Sequence, residues 1–285
     1  HYASEPNMPL HLFKQLNFNL TTGAGLITGI AMFGTLAYLP TYLQMVTGAN
    51  ATQAGFLMIP MMAALLITSI GSGQIVSKTG RYKWAPVSGS VIVGIGLLLL
   101  STMTATMPVW IICAYLAVMG LGLGLSMQIL VLIVQNTFPI SQVGTATASN
   151  NYFRQIGASL GSAVVGSLFA ARLTSLLTER MPAAATGSAG SSNAFTPASV
   201  KELPKAVRDV IIGAYNDALT PVFLYMIPLM LVALVLLCFI REVPLATTIK
   251  RDTLPETLDI DGATSVHLET AEVEVQSAGG ASPQR

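Results

Sequence analysis

Six stretches of this chain are each apolar for long enough to cross a lipid bilayer as helix. They cover roughly 18–46, 53–76, 84–107, 109–135, 143–172 and 219–240. About 20 helical residues span a hydrocarbon core about 30 Å thick. Inside lipid every backbone donor and acceptor must be satisfied by protein, which leaves helices as the form such runs take. The fold class expected is therefore all-α, a polytopic transmembrane bundle of six spans. Only 9% of the 285 residues are charged and 52% are hydrophobic, against about 25% charged in a soluble domain. A net charge of +1 lacks the basic face that nucleic acid requires, so no nucleic-acid partner is expected and the bilayer is the first partner.

Turn and charge signals bound the spans. Lys83-Trp84-Ala85-Pro86 opens the third, Pro108 opens the fourth, and Arg241-Glu242-Val243-Pro244 ends the last. The organisation expected is a lead-in over 1–17, a bundle over 18–242 with a long loop at 173–218, and a disordered tail over 243–285. Within the loop, 181–199 is a low-complexity Ala/Gly/Ser/Thr/Pro stretch. Residues 200–216 place Val200, Leu203, Val207 and Ile211 at helical spacing against Lys201, Glu202, Lys205 and Arg208, the pattern of a short amphipathic surface helix. An even number of crossings puts both termini on one side. The loop 77–83 carries Lys78, Arg81 and Lys83, while the opposite short loops carry no Lys or Arg. The positive-inside rule makes the side of the termini cytoplasmic. The basic residues of 173–218 count against this, but long loops weigh less and several of these cations stand beside acids. Pro40, Pro60 and Pro228 fall inside spans, where proline bends a helix; bending suits a protein that rocks between states and also occurs in static bundles.

Arg154 is the one charge well inside a predicted span. Asn150, Arg154, Gly157 and Gly161 share a helical stripe, polar at one end and small at the other. A central arginine costs about 2.5–3.5 kcal/mol on insertion scales, so it faces a cavity or a partner. Alternatively the span starts near Asn151 and Arg154 snorkels to the headgroups; both placements fit the spacing. Gln128 and Gln135 lie on one face that Gly120 and Gly124 continue. Buried amides need partners, so that face points at water or protein. Tyr38 and Gln44 lie toward the outer end of the first span. For each of these polar residues, an interhelical hydrogen bond competes with substrate contact. The glycine stripes are expected to let helices approach closely, and the 13 methionines to fill packing gaps or soften an apolar pocket.

Other chemistries find little purchase. Cys113 and Cys238 sit in apolar runs and read as small buried hydrophobes. His1, His11 and His267 are scattered, so no metal site is expected. Gly120-Leu121-Gly122-Leu123-Gly124 has glycine spacing like a dinucleotide loop but no preceding strand. Asn50-Ala51-Thr52 matches a glycosylation sequon and equally an ordinary helix start. The six predicted spans hold no Asp, Glu or His, and no nucleophile–base pair is present, so neither an enzyme nor a cofactor is expected.

Four strings in register resemble the EmrB/QacA-type drug:proton antiporters of the major facilitator superfamily, which have fourteen helices. They are Asn17-Phe18-Asn19-Leu20 with its closing Leu39-Pro40-Thr41-Tyr42-Leu43-Gln44, then Gln53-Ala54-Gly55-Phe56-Leu57-Met58-Ile59-Pro60. Gly73-Gln74-Ile75-Val76-Ser77-Lys78-Thr79-Gly80-Arg81 and Arg154-Gln155-Ile156-Gly157-Ala158-Ser159-Leu160-Gly161 complete the set. The resemblance runs from about residue 9 to 242. It implies the C-terminal six-helix half of a multidrug efflux antiporter in the cell membrane, with the N-terminal half missing from this chain. It further implies a substrate path between two bundles, lined by the first, second, fourth and fifth helices of each. Tyr38, Gln44, Gln128, Asn150 and Arg154 fall on those helices, and the third and sixth would face lipid. Small amphipathic or cationic substrates and protons are the partners implied. The loop Gly73, Gly80, Arg81, Lys83 resembles the superfamily's cytoplasmic gating motif, with Ser77 where an acid is often found. Arg81 and Lys83 are then expected to bind helix C-terminal carbonyls or to anchor the topology. A non-transporting membrane module is the alternative reading; an intramembrane enzyme ranks below it.

Overall fold

Each long apolar run is a helix in the computed structural model, which describes residues 9–180, 197–201 and 203–243. Expectations for the lead-in before 9, for 181–196 and for the tail beyond 243 lie outside these residues. A 3-10 turn over Leu10–Lys14 leads into α1 (Leu16–Leu36) and α2 (Leu39–Thr47), which together form the first span. α3 (Ala51–Leu57) and α4 (Ile59–Thr79) form the second. The third, fourth and fifth are α5 (Trp84–Ser101), α6 (Val109–Thr137) and α7 (Ile140–Arg180). A short α8 (Pro197–Lys201) precedes the last, α9 (Lys205–Cys238). Six helical spans are long and apolar enough to cross a membrane, and no strand occurs among the described residues.

The breaks follow local chemistry. Pro40 and Pro60 stand in the first turns of α2 and α4, where a missing N–H costs nothing, while their rings prevent the preceding helix from continuing. Pro221 and Pro228 instead stay inside an uninterrupted α9. α2 and α4 each end on a left-handed residue, Gly48 at φ 69° and Gly80 at φ 70°, a conformation that a Cβ makes costly. Asn50 and Gln53 form a reciprocal capping box at the start of α3, with bonds of 2.8 and 3.0 Å. Trp84 and Trp110 stand exposed at the starts of α5 and α6, at opposite ends of the bundle, as interfacial aromatics do. These ends are called here the Gly80 end and the Gly48 end.

Several boundaries differ from expectation. α5 stops at Ser101, and Thr102 to Pro108 form turns. α7 runs on to Arg180. The stretch read as a surface helix at 200–216 is mostly the beginning of α9, and its apolar stripe turns inward. Val200 and Ile211 are buried in the main core, with Val207 and Leu203 packed against it. The stripe continues in register through Ala214 and Ala218, so the helix has no reason to stop before the crossing. One consequence corrects the expectation that no spanning helix holds a carboxylate: Asp209 and Asp217 both lie in α9. Cys238 corrects another, being exposed at the end of α9 rather than buried.

The spans pair in a pattern with internal symmetry. α1 packs chiefly on α7, α4 on α6, and α5 on both α6 and α9, while α9 also packs on α1. Exchanging the first three spans for the last three maps this set of pairings onto itself. Three crossings end on the opposite side from where they began, so such a repeat is necessarily inverted. The first and fourth spans lie deepest and the second is the most exposed.

Candidate functional site

The polar and small residues singled out by the sequence occupy three separate places. The first is the seam between α1 and α7. Gly157 and Gly161 sit against the backbones of Leu26 and Ile30, and from the other side Gly29 and Gly34 sit against Arg154 and Gly161. Side chains larger than hydrogen at these four positions would meet main chain, so the two helices touch backbone to backbone. Asn150 is buried in this seam, with its amide donating to Thr22 Oγ1 at 3.3 Å. Higher on the seam the Tyr38 hydroxyl donates to the Ser162 carbonyl at 3.1 Å, and its ring packs on Phe169 at 5.7 Å. Asn150 and Tyr38 therefore make interhelical hydrogen bonds, the plainer of the two uses expected for them.

Arg154 differs from its neighbours. Its carbonyl lies opposite Gly29, 2.5 Å from where a Cβ there would stand. That level is about 20 Å of helix rise beyond Leu16, the first residue of α1. The side chain is partly buried, and among the described residues it makes no hydrogen bond or ion pair.

The second place lies between α4 and α6. Gly120 and Gly124 press on the backbones of Met61 and Leu65. Farther along the same face, Gln128 and Gln135 are exposed and line a cavity of about 230 Å³ with Gly73 and Ser77. The third place is the Gly48 end. Gln44 donates to the Pro40 carbonyl at 3.3 Å and borders a cavity of about 760 Å³ shared with Thr47, Thr106, Arg208 and Asp209. Tyr38, Gln44, Gln128, Asn150 and Arg154 thus do not converge on one pocket within this chain.

Among the described residues the loop motif makes its bonds through its backbone rather than through its basic side chains. The Gly80 N–H closes α4 by donating to the Val76 carbonyl. Neither the Arg81 nor the Lys83 side chain bonds a helix carbonyl among the described residues; the Ser77 and Thr79 hydroxyls donate instead to the Gln74 and Ile75 carbonyls of their own helix. An acid does serve the loop, but it comes from beyond the last span. Glu242 Oε1 accepts the Tyr82 N–H at 2.9 Å and the Lys83 N–H at 3.5 Å. The Val243 N–H donates to the Tyr82 hydroxyl at 2.7 Å, Asn136 donates to the Val243 carbonyl at 3.1 Å, and Asn17 exchanges two bonds with the Arg241 backbone at 2.9 and 3.0 Å. Residues 241–243 thereby clip together four span ends. Sequence reasoning passed over this clip because Glu242 reads as an ordinary charged stop signal.

A second polar set escaped notice at the Gly48 end. Tyr42, fully buried, donates its hydroxyl to Asn216 Oδ1 at 2.8 Å, and Asn216 donates to Asp217. Asp217 pairs with Arg180 at 2.7 Å, and its carbonyl accepts from Arg172. The expected end of the fifth span at 172 and start of the sixth at 219 had left these partners in a loop. Among the described residues no His/Cys/Asp/Glu group has the arrangement of a metal site.

A profile of the Major Facilitator Superfamily matches residues 4–162. An uncharacterised MFS-type transporter of Mycobacterium tuberculosis is 40% identical over 244 residues, covering 85% of this chain and 35% of the relative. The multidrug transporter protein MdtP of Bacillus subtilis is 31% identical, over 76% of this chain and 44% of its own. A tetracycline resistance determinant of Streptomyces rimosus is 36% identical, over 61% of this chain and 52% of its own. The chain thus spans about a third to a half of the length of these relatives. Among solved structures, a bacterial homologue of the human lysosomal transporter Spinster superposes with a TM-score of 0.67 at 13% identity, over 87% of this chain and 54% of that one. With six apolar spans in this pairing and a family match over more than half its residues, the chain belongs to the major facilitator superfamily of membrane transporters.

Proposed function

We propose that this chain is one six-helix bundle, the C-terminal half, of a proton-coupled multidrug exporter that works by alternating access. The observation that carries this reading is the family match joined to relatives named for multidrug transport and tetracycline resistance. In repeat-built transporters the substrate site lies near the midplane, where two repeats or bundles face each other. The first, second, fourth and fifth spans would face the second bundle, which an N-terminal half outside this chain would supply. The third and sixth would face lipid, and the exposed Val91, Ile95 and Leu98 of α5 and Leu231, Val232 and Val235 of α9 suit that environment. Small amphipathic or cationic compounds are the substrates proposed. Arg154 and Gln128 would offer polar contacts in an otherwise apolar path, with Tyr38, Gln44 and Asn150 shaping its walls. Lys78, Arg81, Lys83 and Arg241 would hold the Gly80 end, and with it both termini, on the cytoplasmic side of the cell membrane.

The test is efflux of a fluorescent cationic dye from energised cells. The chain is expressed alone and from its complete coding region, with and without a protonophore. Protonophore-sensitive efflux from the complete region alone is the expected result. A complete protein that reaches the membrane yet leaves dye retention unchanged would overturn the reading and favour a non-transporting module.

A further inference from the structure

We propose that the cations gathered around the 241–243 clip at the Gly80 end hold the headgroup of an anionic phospholipid whose chains lie along α5 and α9. The proposal rests on the reading that the third and sixth spans face lipid, and it is independent of the compound transported.

The clip brings charges together as well as span ends. Arg81 and Lys83 flank Tyr82, and Arg241 precedes Glu242. All three cations therefore stand within one residue of two short bonds, from the Tyr82 N–H to Glu242 at 2.9 Å and from the Val243 N–H to the Tyr82 hydroxyl at 2.7 Å. The Trp84 indole N–H donates to the Arg81 carbonyl at 3.1 Å and fixes the loop from its other side. Arg81 and Arg241 are exposed and Lys83 is half-buried. None of the three side chains makes a hydrogen bond or ion pair among the described residues. Glu242 is the one acid at this end among those residues, since Glu179, Asp209 and Asp217 stand at the Gly48 end. Its Oε1 is turned to the loop backbone, and a single carboxylate does not offset three cations. Lys78, in the last turn of α4, adds to the surplus. Guanidinium and ammonium donors left open in this way take phosphate oxygens, the guanidinium with two N–H groups at once.

What selects a lipid over a soluble phosphate is the apolar surface that begins at the same place. Trp84 is exposed in the first turn of α5, and Val91, Ile95 and Leu98 continue its stripe at helical spacing. From Trp84 to Leu98 is about 21 Å of rise, more than the roughly 15 Å that one leaflet contributes to the hydrocarbon core. α9 packs on α5 and ends at the same cations, with Leu231 and Val235 exposed along it and Phe239 exposed at its end. Two apolar stripes, one on each of two touching helices, thus run from one basic cluster, and an indole at the head of the first suits headgroup level. Basic clusters at helix ends recognise anionic headgroups. A zwitterionic headgroup would bring an ammonium of its own to a cluster already in positive surplus.

The experiment uses the intact protein, expressed from its complete coding region and reconstituted in phosphatidylcholine vesicles. The vesicles carry a trace of phosphatidylglycerol or of phosphatidylcholine with a photoreactive group in the acyl chain. After irradiation, peptide mapping reads how much of each probe attaches to 84–98 and 231–239. The phosphatidylglycerol probe should label these stretches about five- to tenfold more than the phosphatidylcholine probe. Arg81→Gln, Lys83→Gln and Arg241→Gln combined should bring the two probes level, with phosphatidylcholine labelling as in wild type, which shows that the fold is kept. Lys205→Gln with Arg208→Gln, which removes charge at the Gly48 end, should leave the preference as it was; its loss there would overturn the assignment to this cluster. Equal labelling by both probes in wild type would overturn the proposal and leave the lipid-facing reading in place. Labelling of neither stretch by either probe would remove that reading and the proposal with it.

Discussion

The carboxylate of Glu242 holds the backbone N–H of Tyr82 at 2.9 Å across 160 residues of chain. This bond joins the segment after the last span to the loop between the second and third. The Tyr82 hydroxyl answers it by accepting the Val243 N–H, so the same two segments are tied twice. Glu242 is exposed, and solvent weakens its charge–amide bond to about 1 kcal/mol or somewhat more. Glu242→Ala is therefore expected to speed hydrogen exchange at the Tyr82 amide by about tenfold, with little change at Leu97 in the core of α5. Glu242→Gln, which keeps an acceptor oxygen, should fall between. Exchange unaltered in Glu242→Ala would assign the protection to the burial of Tyr82 instead.

Close approach of α1 and α7 makes Gly161 sensitive to a single carbon. A Cβ at Gly161 would lie 2.7 Å from the Ile30 Cα and nearer still to its carbonyl oxygen. Both are backbone atoms that cannot turn aside. Gly161→Ala should lower thermal stability by roughly 1–3 kcal/mol, the usual range for overpacking. Gly144→Ala in the same helix meets nothing within 4 Å and gains helix propensity of up to about 1 kcal/mol. The two substitutions should thus shift the melting temperature in opposite directions. A shift in the same direction for both would mean that the seam opens readily.

Length and polarity made the six spans legible in the sequence, because lipid leaves helix as the form for a long uncharged run. The stripe Asn150, Arg154, Gly157, Gly161 was visible for the same reason, since helical periodicity fixes which residues share a face. Contacts set by tertiary distance were not visible. Nothing local marks Glu242 as the partner of Tyr82, or Asn17 as the partner of Arg241, because those pairings depend on how span ends gather. The start of α9 was misplaced because Lys205, Arg208 and Asp209 lower the apolar average while Val207 and Ile211 still face the core. That displacement hid Asp217 and with it the polar set at the Gly48 end.

Within that polar set, the buried bond from Tyr42 to Asn216 fastens the first span to the last at 2.8 Å. Interhelical hydrogen bonds in membrane proteins contribute about 0.6 kcal/mol on average and up to about 1.7. Tyr42→Phe keeps the ring and leaves Asn216 Oδ1 without its donor, so a loss toward the upper end of that range is expected. The measurement is thermal or denaturant unfolding in detergent. The double variant Tyr42→Phe with Asn216→Leu removes both polar groups and should cost less than the two single losses added together. Additive losses would show that the two groups do not act as a pair.

The bridge from Arg180 to Asp217 is shorter than the Tyr42 bond, at 2.7 Å, yet it should matter less. Both side chains are well exposed, at 40% and 46% of their surface. Exposed ion pairs contribute about 0.2–1 kcal/mol, because water and salt screen the attraction and two long side chains lose freedom. Asp217 also bonds the buried Asn216 amide at 3.3 Å, so Asp217→Ala carries a cost beyond the bridge and Arg180→Ala does not. A double-mutant cycle separates the two contributions. Its coupling energy should stay below about 1 kcal/mol and shrink as salt rises from 0.05 to 0.5 M, where the screening length drops to roughly 4 Å. A coupling that is large and indifferent to salt would instead place the pair in surroundings as dry as those of Tyr42, making Arg180 part of the fastening between the fifth and sixth spans.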